Sequence, residues 1–242
     1  EGTLTEIGKL FSVARKPVEE LYDVQADPHE VRNLAGDPKH AGMLGDMREA
    51  LAQWQRKVGD IGLIPEAEIE IRERAAGSRF EILNKKGSAK ESLKRLVASA
   101  TRASEGIDAL PALLKASGDK DSAVRYWGVT GIGNIGKEAG GQAMAVARKA
   151  MGDSSPSVRI GAARAVARLG KPEIAIPLLI NELKSEHQWG RLAAAIVLDE
   201  MDEEARPALK ALQEAVKQRQ PNKYIVRVAN RAVNDLLGTE GS

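Results

Sequence analysis

The chain has 242 residues, and its 36 Lys and Arg residues nearly balance its 34 Asp and Glu residues, so the formal net charge is +2. A chain of this length and of 43% hydrophobic residues forms one or two globular domains. The absence of cysteine excludes disulfides, thiolate metal sites and thiol nucleophiles within it. Because there are only 3 Trp, 3 Tyr and 2 Phe, we expect a core of Ala, Val, Leu and Ile.

The charge is unevenly distributed along the chain. Residues 1–75 carry 10 basic and 15 acidic side chains, whereas residues 76–242 carry 26 and 19, so the two parts have net charges of −5 and +7. We therefore expect a domain boundary near residue 75. The longest apolar runs have seven residues, against about 20 for a membrane span. The chain starts at Glu1 rather than Met, and we keep open that it is a piece of a longer polypeptide.

The first 75 residues show one strand pattern and one helix pattern. Apolar and polar side chains alternate over residues 17–24, which predicts a β-strand. Asp37 and Pro38 then predict the start of a helix over residues 39–58. Four side chains share one face of that helix, namely Leu44, Met47, Leu51 and Trp54.

Short motifs follow one another in this region, namely Glu20-Leu21-Tyr22-Asp23, then Asp27-Pro28 with Glu30, then Asn33-Leu34, then Leu51-x-x-Trp54 and Gly62-Leu-Ile-Pro-Glu66. Their order and spacing resemble the carboxy-terminal segment of the formylglycine-dependent sulfatases over about residues 9–66. The one clear difference is Val24, which stands where the family usually has Leu.

The sulfatase resemblance implies that residues 1–75 form the strand and packed helix of a small α+β subdomain. In the family, the nucleophile arises from Cys or Ser in a C/S-x-P/A-x-R motif and becomes formylglycine, and Asp and Asn residues bind calcium. That motif does not occur in this chain, so both cofactors are expected only in a catalytic part outside it. Export to the periplasm or the extracellular space would follow from the same resemblance.

Residues 76–104 are interpreted as a linker and a capping helix, in which residues 88–102 have amphipathic spacing. A charge run precedes them, formed by Glu66, Glu68, Glu70, Arg72, Glu73 and Arg74. We expect this run to be a solvated linker or helix face, because an acid/base pair needs one desolvated carboxylate.

Residues 105–242 contain about four sequence repeats. In three of them Gly follows eleven residues after the Arg of a Val-Arg pair, namely Arg125 to Gly136, Arg159 to Gly170 and Arg227 to Gly238. A degenerate copy runs from Arg191 to Asp202, and successive Arg residues lie 34, 32 and 36 positions apart. Each unit predicts two helices joined by a polar turn, with Gly as a left-handed cap after the second helix.

These units resemble HEAT repeats of the short bacterial form, in which an Asp-x-x-x-x-Val-Arg turn precedes the second helix. The resemblance implies a mainly α fold, an α-solenoid. It also implies a structural polar ladder between repeats, here Asp119, Arg125, Asp153, Arg159, Arg191 and Arg227. The third unit departs from this pattern, because it lacks the Val and the terminal Gly.

Three patterns that could indicate chemistry have simpler interpretations. Gly131, Gly133 and Gly136 match G-x-G-x-x-G, but the repeat register places them in a second helix and its cap, not between a strand and a helix. Residues 154–159 faintly resemble a serine-type sulfatase nucleophile but fit an inter-helix turn. His29, His40 and His187 lack metal-ligand spacing, so we expect no catalytic, cofactor or metal residues.

Two groups of side chains are candidates for an interface. Arg148, Lys149, Arg164 and Arg168 form the densest basic group, and Arg164 and Arg168 share a helix face. Trp127 and Trp189 are interpreted as packing between repeats, although an exposed Trp would mark an interface.

Two functions remain open at this point. The first hypothesis is a non-catalytic carboxy-terminal region of a sulfatase, whose HEAT repeats bind a protein partner, a sister subunit, a cell-surface glycan or its own catalytic domain. The alternative is a free-standing HEAT-like protein that binds DNA or another polyanion through the +7 part. Sparse aromatic residues do not favour nucleic acid.

Overall fold

The computed structural model of the chain describes residues 4–5, 8–9, 12–13, 16–84, 89–217 and 222–239, and these residues form helices and connections without a β-strand. The chain divides into two compact units, residues 1–58 and 59–242. The boundary between the units, after residue 58, therefore precedes the change in charge near residue 75. The reason is that the helix beginning at Glu66 packs on the repeats that follow it. The predicted domain limits at residues 75 and 104 stay predictions.

The first unit contains an irregular segment and one long helix. Asp37 caps a short 3₁₀ turn over Pro38–His40, which leads into helix α1 over Ala41–Val58. The strand predicted over residues 17–24 is not formed. The Leu21 N–H donates to the Asn33 side chain at 3.0 Å, and the Leu21 carbonyl accepts from the Leu34 N–H at 2.8 Å. The backbone bonds at Leu21 are therefore made to a nearby loop instead of a partner strand.

Helix α1 exposes most of its apolar face. Met43, Met47, Leu51 and Trp54 are each between 56% and 59% exposed, although their spacing of three and four residues places them in one stripe. In the described part of residues 1–58, Leu21 and Leu44 are the buried large apolar side chains. This unit leaves the apolar stripe of its own helix uncovered.

The second unit contains a stack of two-helix repeats. The first helices are α5 Leu110–Ala116, α7 Gly140–Ala150, α9 Pro172–Glu182 and α11 Leu209–Lys217. The second helices are α6 Ser122–Ile135, α8 Pro156–Arg168, α10 Gln188–Glu200 and α12 Lys223–Leu237. Consecutive second helices contact each other from α6 to α12, and each packs on its own first helix. This arrangement confirms the predicted mainly α solenoid.

Local signals in the sequence set where the second helices begin and end. The side chains of Asp121, Ser155 and Asn222 accept backbone N–H groups at the starts of α6, α8 and α12. Gly136, Gly170 and Gly238 have positive φ after the second helices. Asp202 occupies the equivalent position after α10 and also has a positive φ of 45°, which L-residues adopt at a cost.

The core consists mainly of Ala, Val, Leu and Ile, and small residues bring the helices close together. A Cβ atom added to Gly128 in α6 would lie 2.5 Å from the backbone nitrogen of Ser117. One added to Gly131 would lie 2.5 Å from the Leu113 side chain. The absence of side chains at these positions therefore allows α5 and α6 to pack closely.

Residues 59–102 cover the start of the solenoid with three more helices, α2 Glu66–Ala76, α3 Glu81–Asn84 and α4 Ala89–Arg102. Ile64, Ile69 and Leu83 share one buried cluster with side chains of α4 and with Val124 of α6. The amino-terminal cap therefore extends back to about residue 59, before the helix predicted over residues 88–102.

Candidate functional site

An arginine and an aspartate connect the first two repeats. The Arg125 guanidinium donates two hydrogen bonds to the Asp153 carboxylate, both at 2.8 Å, and a third to the Asp119 carbonyl at 2.9 Å. Burial by itself would raise the pKa of Asp153. The Arg125 guanidinium and the Ser155 N–H outweigh this effect and hold the pKa below its usual value.

Two further predicted ladder residues, Asp119 and Arg159, have other partners. Asp119 pairs with Arg95 of α4 at 3.1 Å, and Arg159 donates to Glu182 at 2.7 Å, so the acid in the third repeat lies at the end of α9 and not in the turn. Among the described residues, the buried Nε of Arg191 has no hydrogen-bond partner. Residues 218–221, which come between α11 and α12 in the sequence, are not among the residues that the structure describes.

The last predicted ladder residue, Arg227, contacts an aromatic ring. Its guanidinium lies 5.5 Å from the ring centre of Tyr224 in the same helix. A neighbouring arginine, Arg231, instead forms an ion pair with Asp199 of α10. The repeat-to-repeat pairs therefore continue to α12, with a different arginine.

Glu68 joins α2 to two repeats. Its carboxylate accepts hydrogen bonds from the hydroxyls of Ser122 and Ser155, the latter at 2.6 Å, and it lies 3.6 Å from the Arg72 guanidinium. Glu68 is only 4% exposed, so its interpretation as part of a solvated charge run is wrong. Ser155, which lies in the segment that resembled a nucleophile motif, is the helix cap of α8 and a partner of Glu68.

Arg72 extends this polar cluster to the start of α6. It donates to Asp121 at 2.6 Å and to the Ser122 hydroxyl at 3.0 Å. Burial would raise the pKa of Asp121, but hydrogen bonds from Arg72 and Ser92 hold it below its usual value. Asp121 therefore caps α6 and pairs with Arg72 of α2 at the same time.

An open cavity of about 550 Å³ lies on the second helices α6, α8 and α10. We call it the second-helix groove, and its lining includes Tyr126, Trp127, Ile160, Arg164, Trp189 and Ile196. Residues 65–67, at the start of α2, also line it. Most of the lining is apolar, and Ile196 is 40% exposed.

The groove brings together three of the four predicted interface residues, Trp127, Trp189 and Arg164. The Trp127 indole N–H donates to the Leu63 carbonyl at 2.7 Å, so this side chain also anchors the cap. Arg164 donates to Glu200 at 2.5 Å. Sequence reasoning missed Tyr126 and Ile196, because a repeat pattern does not show which apolar side chains are left uncovered.

The fourth predicted residue, Arg168, lines a neighbouring cavity beside Asp199, Glu200 and Arg231. The predicted basic group is divided between two helices, since Arg148 and Lys149 are exposed on α7. Basic and acidic groups are therefore mixed around α8 and α10.

The glycine motif lies within α6 and its cap. A Cβ atom on Gly133 would lie 3.1 Å from the Ala165 Cα atom of α8, which shows that the glycine permits close helix packing. No group of three or more potential metal-binding His, Asp or Glu side chains occurs in the described residues. None of the helices described is long and apolar enough to cross a membrane.

The stacked two-helix units and their arginine–carboxylate contacts define an α-solenoid of repeats. The family model for HEAT repeats matches residues 110–180 and 144–234, which together make up more than half of the chain. The chain therefore belongs to the HEAT-repeat family.

Short regions of the chain are similar to two sulfatases. It is 38% identical over 69 residues to an ulvan-active sulfatase of Formosa agariphila, a match to 28% of this chain and 12% of that protein. It is 51% identical over 41 residues to human N-sulphoglucosamine sulphohydrolase, a match to 17% of this chain and 8% of that protein. The chain thus spans about a tenth of the length of these curated relatives.

Among solved structures, an engineered protein has a TM-score of 0.45 at 18% identity, over 78% of this chain and 91% of its own. A designed armadillo repeat protein in complex with a (KR)4 peptide also has a TM-score of 0.45 at 18% identity, over 83% of this chain and 95% of its own.

Proposed function

We propose that this chain is a non-catalytic carboxy-terminal region of a sulfatase polypeptide, and that its HEAT repeats serve as a protein-interaction or scaffolding module. The observation that supports the sulfatase parentage is the pair of short matches to two sulfatases. Under this proposal, formylglycine and calcium belong to a catalytic part outside the chain, and the polypeptide is exported.

The uncovered face of α1 supports this parentage. The exposed stripe of Met43, Met47, Leu51 and Trp54 is as apolar as the interior of a domain. Burying these side chains against a partner would contribute about 1.5–3 kcal/mol each to the free energy of association. In the proposal, the catalytic part of the same polypeptide covers this stripe.

Enzyme assays and copurification test the parentage. This chain alone and the polypeptide with its upstream region are assayed for aryl-sulfate hydrolysis, and we expect activity only with the upstream region. The upstream region, expressed separately, should copurify with this chain. The Leu51→Asp variant of this chain should no longer bind it. Leu237→Asp, a change at a side chain 49% exposed at the end of α12, is the matched control. Hydrolysis by the chain alone, or equal binding by both variants, would contradict the proposal.

The second-helix groove supports the interaction role. It is an apolar surface on the helices that stack along the solenoid, and repeat proteins use such surfaces to bind partners.

The polyanion alternative has no comparable support, because Arg164 and Arg231 already pair with Glu200 and Asp199. We expect no binding to duplex DNA at low salt. Binding that weakens steeply with added salt would favour the alternative instead.

A further inference from the structure

Several polar side chains that line the second-helix groove already have hydrogen-bond partners. The Trp127 N–H is bound to Leu63, the Asn134 amide donates to the Ala103 carbonyl at 3.0 Å and accepts from Arg164, and Arg164 also binds Glu200. The backbone of the surrounding helices is hydrogen-bonded within those helices. A helix arrives with its backbone hydrogen bonds already made, so it needs fewer of the remaining polar groups of this lining than an extended peptide or a sugar does.

The apolar lining forms a stripe that suits a helix. Trp189, Leu192, Ala193 and Ile196 are spaced by three, one and three residues along α10 and all line the groove. Tyr126 of α6 lines it from another second helix. Such a surface accepts a row of apolar side chains from one face of an amphipathic helix.

The charges that line the groove favour a basic occupant. Its ionised side chains are Glu66, Glu200 and Arg164, and Arg164 is paired with Glu200. Glu66 is exposed, and the contacts described for the chain give it no ion-pair partner. The surface therefore carries one excess negative charge, which a Lys or Arg beside the apolar row would neutralise.

The chain already shows one helix bound to these second helices. Helix α2 contacts α8 and α10, and it is fixed by Glu68 on Ser122 and Ser155. Residues 65–67 of the same segment line the groove, so the open surface continues directly from an occupied one.

We propose that the second-helix groove binds an amphipathic helix of a protein partner, with Lys or Arg residues beside the apolar row. This inference rests on the proposed interaction role and specifies the chemistry of the partner. It does not depend on the sulfatase parentage, which is tested by hydrolysis and by the surface of α1.

Fluorescence anisotropy with three labelled model peptides tests the inference on the full chain. The first peptide is a Leu/Lys amphipathic helix, the second has Glu in place of Lys, and the third has the Leu/Lys composition with central prolines that prevent a helix. We expect saturable binding of the first peptide and at least about tenfold weaker binding of the other two.

Substitutions then locate the site. Ile196→Asp should weaken binding of the Leu/Lys helix about tenfold or more, whereas Ile107→Asp, at a side chain 44% exposed outside the groove, should change it less than about twofold. Glu66→Lys should reduce the preference for Lys over Glu peptides. Circular dichroism checks that each variant stays folded. No binding, equal binding of the proline peptide, or equal effects of Ile196→Asp and Ile107→Asp would overturn the proposal.

Discussion

Removal of the Glu68 carboxylate tests the contact between α2 and the repeats. Glu68→Ala deletes the acceptor of the Ser122 and Ser155 hydroxyls and the ion pair with Arg72. A hydrogen bond to a charged group contributes about 1.5–3 kcal/mol. Because Ser122 is only partly buried and can bind water, we count mainly the bond to buried Ser155 and the small cavity.

The expected loss in the free energy of unfolding is about 2–4 kcal/mol, on the order of 5–12 °C in Tm for a unit of this size. Urea and thermal unfolding, followed by far-UV circular dichroism, measure it. Glu66→Ala is the matched control, since Glu66 is an exposed acid in the same first turn of α2 and should contribute at most about 1 kcal/mol. A double-mutant cycle with Ser155→Ala should show a coupling of about 1 kcal/mol. Equal losses in Glu68→Ala and Glu66→Ala would refute this reasoning.

Three further predictions concern the repeats. Gly128→Ala should destabilise the chain by about 1–3 kcal/mol because its Cβ meets backbone, whereas Gly141→Ala, which meets nothing within 4 Å, should be neutral or slightly stabilising in urea unfolding. Asp202→Gly should raise Tm by relieving positive φ, and Asp202→Ala should not; an equal rise in both would indicate a charge effect instead. Because the pKa of Asp121 and Asp153 is lowered in the folded chain, their stabilisation is present above about pH 4 and is lost as the pH falls through the folded pKa values. Asp153→Asn should therefore reduce the difference in unfolding free energy between pH 7 and pH 3, and an unchanged difference would contradict this.

The repeats could be predicted from the sequence because their signals are local. A Val-Arg turn, a cap residue such as Ser155 and a glycine such as Gly170 occur within one repeat, and each acts on its own helix. The strand over residues 17–24 could not be judged in this way, because alternation shows only that a segment suits a sheet. Whether a partner strand exists depends on distant residues.

The contacts of α2 were missed for a related reason. Glu68 belongs to a run of closely spaced charged residues that is typical of a solvated helix face. Its serine partners lie 54 and 87 residues further along the chain. The groove likewise depends on which side chains remain uncovered after stacking. Trp127 and Trp189 were identifiable from their size, but Ile196 follows the ordinary apolar pattern of a second helix.

The bridge made by Glu68 also affects how the chain folds. In a solenoid each repeat touches only its neighbours, so folding can begin in any repeat and spread. Helix α2 adds contacts across long sequence separations, which require closure of a large loop and slow the folding of the repeats that it joins. The repeats from α5 to α10 should therefore unfold together with α2, while α11 and α12 open separately. Repeats could be gained or lost at the carboxy-terminal end over evolution without breaking this bridge.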